Sequence, residues 1–391
     1  MRLTRTIFLA LFILFSSLPS SRQTVNAQTV TPAAPEPEAG AVVCPPGAYL
    51  PAPQDCLPLG PSEYLTNLAD SGIPSPILPL PAYTPDASLN DSPFQYFKVN
   101  DQGASLYSSL EDGIANNPSG HLAAGTLYVA YQDGPVDTPV GGFYQLVSGL
   151  WIYADGARLA HFNPPFQGLA FSSQPRNSFG WALDVIHPRT APGLDSPESG
   201  ITLYRFDVLQ IYDSRDASNL TWLLIGPDEW VDSRAVRRVD PHTDAPKGVT
   251  GNRWIEVNLQ QQTVSVYQDN RLVFATMVST GVEPTWTRPG LFQIYVKKPT
   301  ETMSGATTAD RSDYYYLEDV PWTMYFDEAR AFHGAYWHKR FGYQNSHGCV
   351  NMSVGDAHWL YNWANVGDQV YVYDPSGNTP VDPSLYGAGA P

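Results

Sequence analysis

Past residue 250 the chain settles into clean alternation of apolar and polar positions. Trp254-Ile255-Glu256-Val257-Asn258-Leu259 alternates, turns through Gln260-Gln261-Gln262, and returns as Thr263-Val264-Ser265-Val266-Tyr267. Asp269-Asn270 makes the next turn, and Leu272 to Ser279 reads as a third strand. Gly281 to Gly290 is a loop holding Pro284 and Pro289, and Leu291 to Val296 reads as a fourth strand. The short connections predict successive antiparallel hairpins. The period changes to 3.6 at one place: Ser353 is placed to cap a helix, Asp356 lies in its first turn, and Ala357, Leu360, Tyr361 and Ala364 share a face. Val370-Tyr371-Val372-Tyr373 predicts a last strand, Asp374-Pro375 ends the fold, and residues 375–391 are expected to be a flexible tail.

Shorter strand signals fill residues 94–240. Leu127-Tyr128-Val129-Ala130-Tyr131 parallels Val208-Leu209-Gln210-Ile211-Tyr212. Phe143 to Gly149, followed by Trp151, parallels Thr221 to Gly226, followed by Trp230. Each unit suits a small barrel of about five strands, and the pattern resembles bacterial SH3-like modules. It gives two expected modules, 93–160 and 161–245, and a mainly β chain with one main helix. A single all-β domain with chance similarity is the alternative. Asp240 to Gly251 reads as a linker before the domain 250–374.

The first residues change the picture. Arg2 and Arg5 precede the apolar run Ile7 to Phe15, which is too short to span a bilayer. Val25-Asn26-Ala27 offers small residues for cleavage before Gln28, so 1–27 reads as a signal peptide, with an uncleaved anchor as the alternative. Residues 28–92 form a Pro-rich linker. No later run is long enough to cross a membrane, so the mature protein is expected to be exported, periplasmic or wall-associated and secreted, without a transmembrane segment. The charge balance is 22 basic against 38 acidic residues, net −16, which argues against a nucleic-acid partner.

An exported chain with three cysteines has an odd count. A Cys44–Cys56 disulfide is plausible in the Pro-rich segment and leaves Cys349 unpaired. A lone thiol in an oxidising compartment needs a reason. Cys349 stands in Ser346-His347-Gly348-Cys349-Val350-Asn351, with His333 upstream. His333 can take the thiol proton and form a thiolate–imidazolium pair. Gly348 permits a tight turn with amide N–H groups facing a reacting carbonyl oxygen. The helix capped by Ser353 favours the thiolate if its N-terminus points back at the site. The rival is zinc on His333, His338, His347, Cys349 and His358, but Cys-x-x-Cys and His-x-x-x-His are both lacking, so no metal is expected.

His333, a spacer, and then Ser346-His347-Gly348-Cys349-Val350-Asn351 resemble the signature of the L,D-transpeptidases (YkuD type). Ser279-Thr280-Gly281 followed by Pro289-Gly290 is similar to that family's strand and turn, with Thr287-Arg288-Pro289-Gly290 departing in where its extra residue falls. Met303-Ser304-Gly305 and Val320-Pro321-Trp322 resemble the segments before the histidine. The resemblance covers about 250–374 and implies a β-sandwich catalytic domain. It implies that Cys349 attacks a peptidoglycan tetrapeptide stem, releases D-Ala, and passes the acyl group to an amine as a 3→3 crosslink. His333 would be the base and the Gly334 carbonyl its orienter. Amides at His347, Gly348 and Cys349 would hold the oxyanion, with His347 shaping the motif. Ser346 and Asn351 fit hydrogen-bonding roles at the turn beside the substrate. Tyr336 and Trp337 are candidate pocket walls, aided by Trp322, Tyr325 and Phe326, and Lys339 and Arg340 are candidates for stem carboxylates. No cofactor is implied, and carbapenem-type inhibitors are expected to acylate the thiol. The alternatives are a peptidoglycan-binding scaffold without catalysis, attachment of a protein to the wall, and an L,D-carboxypeptidase.

Overall fold

The computed structural model describes residues 42–43, 56–57, 68–73, 77–154, 158–159, 166–306, 308 and 310–386. The expected signal peptide 1–27 and, through Cys44, the Cys44–Cys56 bridge lie outside the described residues. Among the described residues no helix is long and apolar enough to cross a membrane.

The strands that position the site are β1 (Gln95–Lys98), β2 (Thr126–Tyr131), β3 (Leu169–Phe171), β4 (Arg253–Asn258), β5 (Thr263–Gln268) and β6 (Arg271–Met277). They continue with β7 (Gly290–Gln293), β8 (Val296–Gly305), β9 (Tyr315–Asp327), β10 (Arg330–Gly334) and β11 (Val350–Met352). Helix α1 (Val354–Trp363) and β12 (Gln369–Tyr373) complete the set. One sheet runs β7-β12-β4-β5-β6-β3 and ends on Ala82–Tyr83. The other runs β1-β2-β9-β10-β11, with β8 on β9 and Arg158–Leu159 outside β1.

The hairpins from β4 to β6 are antiparallel, as their turns predict, with Val257 opposite Val264 and Ser265 opposite Ala275. Asp269 and Asn270 take positive φ in the tight turn, which their short side chains tolerate. Two pairings escape hairpin logic. β12 joins β4 in parallel, and β7 pairs with β12 instead of β6. The stretch Leu291 to Val296 is also two strands: Ile294 turns inward, and its N–H donates to the Asp368 carbonyl at 3.0 Å.

β4 and β5 are buried on both faces. Ile255, Val257, Val264 and Val266 meet Met324, Phe326, Phe332, Val350 and Met352 of the second sheet, with Ala357 and Leu360 of α1. Truncating a large side chain such as Phe332 in this packing costs about 3–5 kcal/mol. The opposite face carries Trp254 stacked on Tyr267 at 4.7 Å and 8°. It packs against Phe166, Leu169, Phe179 and Trp181, which precede β4 in the chain. α1 begins as expected: Ser353 Oγ accepts the Asp356 N–H at 3.2 Å.

The described residues of 93–245 are mainly β-sheet structure, and no SH3-like identity is assigned to them. Phe97, Leu127, Val129, Tyr144 and Ile152 form one core, and Leu209, Ile211, Leu223 and Val236 another. The two stretches read as repeats differ in partners. β2 pairs with β1 and in parallel with β9, whereas Val208–Ile211 pairs with Ser178–Ala182. Within the stretch expected to be a flexible tail, residues 375–378 and 381–385 are exposed, and Thr379 and Tyr386 make contacts with the domain. Asp374 Oδ2 accepts from Thr379 N and Oγ1 at 2.8 and 2.7 Å, and the Arg330 guanidinium lies 5.3 Å from the Tyr386 ring centre.

Candidate active site

Cys349 and His333 are brought together by two parallel strands. β10 and β11 run with Phe332 opposite Val350 and His333 opposite Asn351, so Cys349 stands at the entry to β11 beside the histidine's strand. Both line a cavity of about 130 Å³. Trp337, Ser346, His347 and Asn351 of the expected set line it too.

The Ser-Thr-Gly stretch explains how the turn is held. Ser279 and Asn351 exchange two backbone hydrogen bonds of 2.9 Å. The Thr280 carbonyl accepts from Asn345 N and Ser346 N at 3.0 and 3.1 Å. The Gly281 N–H donates to Thr287 Oγ1 at 3.0 Å, and that hydroxyl donates to the Gly348 carbonyl at 2.8 Å. A β-carbon on Gly281 would fall 2.1 Å from the Thr285 carbonyl oxygen, so this close approach requires glycine. Gly348 has φ +122°, in the region open to glycine. Within the turn, Ser346 Oγ donates to the Cys349 carbonyl at 2.6 Å and accepts the Gly348 N–H at 3.2 Å. The Gly348 amide, one of the expected oxyanion donors, is thus engaged inside the motif.

The electrostatics differ from the expected ion pair. Burial pushes the Cys349 thiol up to about 11, against opposing pulls from the Ala331 backbone and the Arg330 guanidinium. The thiol donates to the Ala329 carbonyl at 3.7 Å. Burial, then the neighbouring His338, lowers His333 to about 3, with the Gly334 backbone acting the other way. His333 is 2% exposed, and its Nδ1 has no partner at hydrogen-bond distance. Both shifts favour the uncharged forms, a neutral thiol and a neutral imidazole. Desolvation is the largest cause of both shifts.

His347 is held by stacking on Tyr315, ring centres 5.0 Å apart at 12°. Burial lowers its pKa, and Asp313 opposes that shift. Asn351 contacts a second histidine: its side-chain amide lies 2.8 Å from His338 Nε2, and burial lowers His338 to about 4. His338, first read as a possible zinc ligand, is thus a neutral partner of Asn351. Among the described residues no three His, Cys, Asp or Glu side chains are grouped to hold a metal.

Several expected walls lie elsewhere. Tyr336 is buried against Tyr96, ring centres 3.8 Å apart, and its hydroxyl donates to the Glu318 carbonyl at 2.6 Å. Phe326 is in the core between the sheets, Trp322 stacks on His358, and Tyr325 tilts against Tyr295. Lys339 and Arg340 are exposed and do not line the cavity. The walls that sequence reading missed are Thr126, Asp313, Tyr315, Leu317 and Asn345. Met303, also a wall, fell within a quoted motif without a role. A tyrosine or leucine on a strand looks like core, and nothing near Thr126 signals chemistry two hundred residues away.

Residues 252–372 match the family profile of the L,D-transpeptidase catalytic domain, YkuD. L,D-transpeptidase 1 of Mycobacterium tuberculosis is 30% identical over 171 residues, covering 38% of this chain and 66% of that protein. The chain thus spans just under two thirds of the curated relatives it matches. A crystal structure of an L,D-transpeptidase from Stackebrandtia nassauensis is similar at 28% identity, with a TM-score of 0.26, over 34% of this chain and 60% of that one. The catalytic domain of the E. faecium L,D-transpeptidase is similar at 26% identity, with a TM-score of 0.29, over 32% of this chain and 100% of that one.

Proposed function

Residues 252–372 carry an L,D-transpeptidase catalytic domain, and on that premise we propose that this chain acylates Cys349 with a peptidoglycan tetrapeptide stem and transfers the acyl group to an amine. The observation that supports the reading is that His333, on β10, and Cys349, at the entry to the adjacent parallel strand β11, line one cavity.

Cys349 Sγ attacks the carbonyl carbon between the third stem residue and D-Ala. Its proton passes to His333 as the carbon–sulfur bond forms, so no ion pair is needed beforehand. The His347 and Cys349 amides are the proposed donors to the developing oxyanion. The carbon–nitrogen bond breaks, the imidazolium returns its proton to the leaving amine, and D-Ala departs from a thioester. The side-chain amine of a second stem then attacks the thioester, loses a proton to His333, and leaves as a 3→3 crosslink with the thiol restored. The substrate class implies action at the cell envelope, outside the cytoplasm.

Mass spectrometry of muropeptides after incubation with tetrapeptide-bearing fragments tests this. The expected products are free D-Ala and 3→3 dimers, both lost in Cys349→Ala, together with one carbapenem adduct on Cys349. D-Ala without dimers would make the activity an L,D-carboxypeptidase. A folded protein whose thiol alkylates, but which releases no D-Ala and takes no carbapenem, would overturn the proposal.

A further inference from the structure

The cavity around Cys349 is not built from residues 252–372 alone. Thr126, at the start of β2, lines it, and its side chain is exposed, so it stands at the rim. β2 joins β9 in parallel, with Thr126 opposite Tyr315, Leu127 opposite Tyr316 and Tyr128 opposite Leu317. The Thr126 N–H donates to the Tyr314 carbonyl at 2.9 Å. Gly125, at φ +153°, makes the approach possible, because a β-carbon there would fall 2.2 Å from the same carbonyl oxygen.

The junction continues behind the rim. The Ala130 N–H donates to Glu318 Oε2 at 2.9 Å, and the Tyr96 hydroxyl donates to the Asp319 carbonyl at 2.7 Å. Tyr96, Ala130, Met303, Tyr315, Leu317 and Tyr336 share one buried cluster. Three of these come from the hairpin of β8 and β9 that walls the cavity. A polar contact this buried, repeated along a strand pair, fixes the two regions in one register.

We infer that the first β region is part of the active site, with Thr126 a specificity-determining residue at the rim that meets the stem peptide as it enters. The substrate arm of this inference rests on the proposed function. The wall itself can be tested without it.

In the full chain, Thr126→Trp is expected to lower kcat/KM for D-Ala release from a tetrapeptide stem at least tenfold, through KM. Thr126→Ser is expected to stay within twofold. Alkylation of Cys349 by iodoacetamide, a small reagent, should change less than twofold in either. A KM and kcat/KM within twofold of the parent in Thr126→Trp would overturn the inference. If the parent itself releases no D-Ala, the functional reading has failed, and the wall is read from the ratio of Cys349 alkylation rates with fluorescein maleimide and with iodoacetamide. A tenfold fall of that ratio in Thr126→Trp supports the wall, and a ratio within twofold overturns it. Should Thr126→Trp lose its cooperative melt, hydrogen exchange in the unsubstituted protein decides. Alkylation by fluorescein maleimide should slow exchange across Thr126–Tyr131, and unchanged exchange there overturns the inference.

Discussion

Thr287 and Gly348 are joined by a 2.8 Å hydrogen bond from the threonine hydroxyl to the glycine carbonyl, directly before Cys349. The same hydroxyl oxygen accepts the Gly281 N–H. One buried side chain therefore satisfies two backbone groups from two segments of the site. Thr287→Val keeps the shape and removes both bonds. Leaving a buried donor and acceptor unpaired costs about 1–3 kcal/mol for each group. Denaturant unfolding should show a loss of that order for Thr287→Val and near-parent stability for Thr287→Ser. Equal stability of the valine variant and the parent would show that the turn does not depend on this hydroxyl.

The neutral pair at Cys349 and His333 predicts a particular pH profile. With the thiol at about 11, the thiolate fraction rises tenfold per pH unit across the neutral range. With His333 at about 3, the imidazole stays neutral down to mildly acidic pH. Alkylation of Cys349 by iodoacetamide should therefore climb steadily from pH 6 to 9 without a plateau. A plateau across neutral pH would mean that a thiolate–imidazolium pair forms after all. His333→Ala should leave the slope of that climb unchanged while abolishing turnover, since the histidine is needed to move the proton and not to hold a charge in the resting state.

The sequence made the local elements readable and left the joins obscure. Turn residues and strict alternation carried the hairpins from Arg253 to Met277, and Ser353 with Asp356 marked the longest helix among the described residues. The parallel pairing of β10 with β11 is what brings His333 to Cys349, and it has no local signature, because the strands are linked through a loop with its own packing. The family motif stood in for that missing information. It marked Cys349 and His333 but gave no guide to walls. Tyr336 and Tyr315 look alike in sequence and share one buried cluster, yet Tyr315 also lines the cavity while Tyr336 is stacked against Tyr96. The charge state was also illegible, since desolvation depends on everything packed around a group.

Glu318 ties the first β region to β9 at a cost that depends on pH. Burial raises its carboxyl from 4.5 to about 7, although the Ala130 N–H favours the ionised form. Between those values the folded chain holds a proton that the unfolded chain has lost. Stability from this group is complete below pH 4.5, falls as pH rises through about 7, and is flat above. The total change is on the order of 3 kcal/mol. Glu318→Gln keeps an acceptor for Ala130 and does not titrate. Its thermal unfolding should be less pH-dependent than that of the parent between pH 5 and 7.5, with the larger gain at the alkaline end. Parallel curves for the two proteins would show that the carboxyl is not buried as described.

Asp356 anchors the helix behind the site and predicts an asymmetry between two substitutions. Its carboxyl accepts the Gly168 N–H at 2.9 Å and the Thr276 hydroxyl at 2.5 Å, joining α1 to β6 and to the segment before β3. The side chain is fully buried, and burial raises its pKa from 3.8 to about 6 against those donors. Asp356→Ala strands the Gly168 amide in the interior and leaves the Thr276 hydroxyl only the Met277 carbonyl at 3.2 Å, a loss of about 2–5 kcal/mol together with the missing volume. Asp356→Asn keeps an acceptor for Gly168, and the Thr276 hydroxyl can turn to accept from the new amide, so its cost should be well under half of that. The asparagine variant should also lose the part of the pH dependence that falls between about 4 and 6, where the buried acid holds its proton and the unfolded one does not. Urea unfolding at pH 5 and pH 7.5 measures both. The expected order of stability at either pH is parent or asparagine above alanine, with asparagine gaining on the parent at pH 7.5. If alanine proved as stable as asparagine at both values, the carboxyl would not be the joint that holds the helix in place.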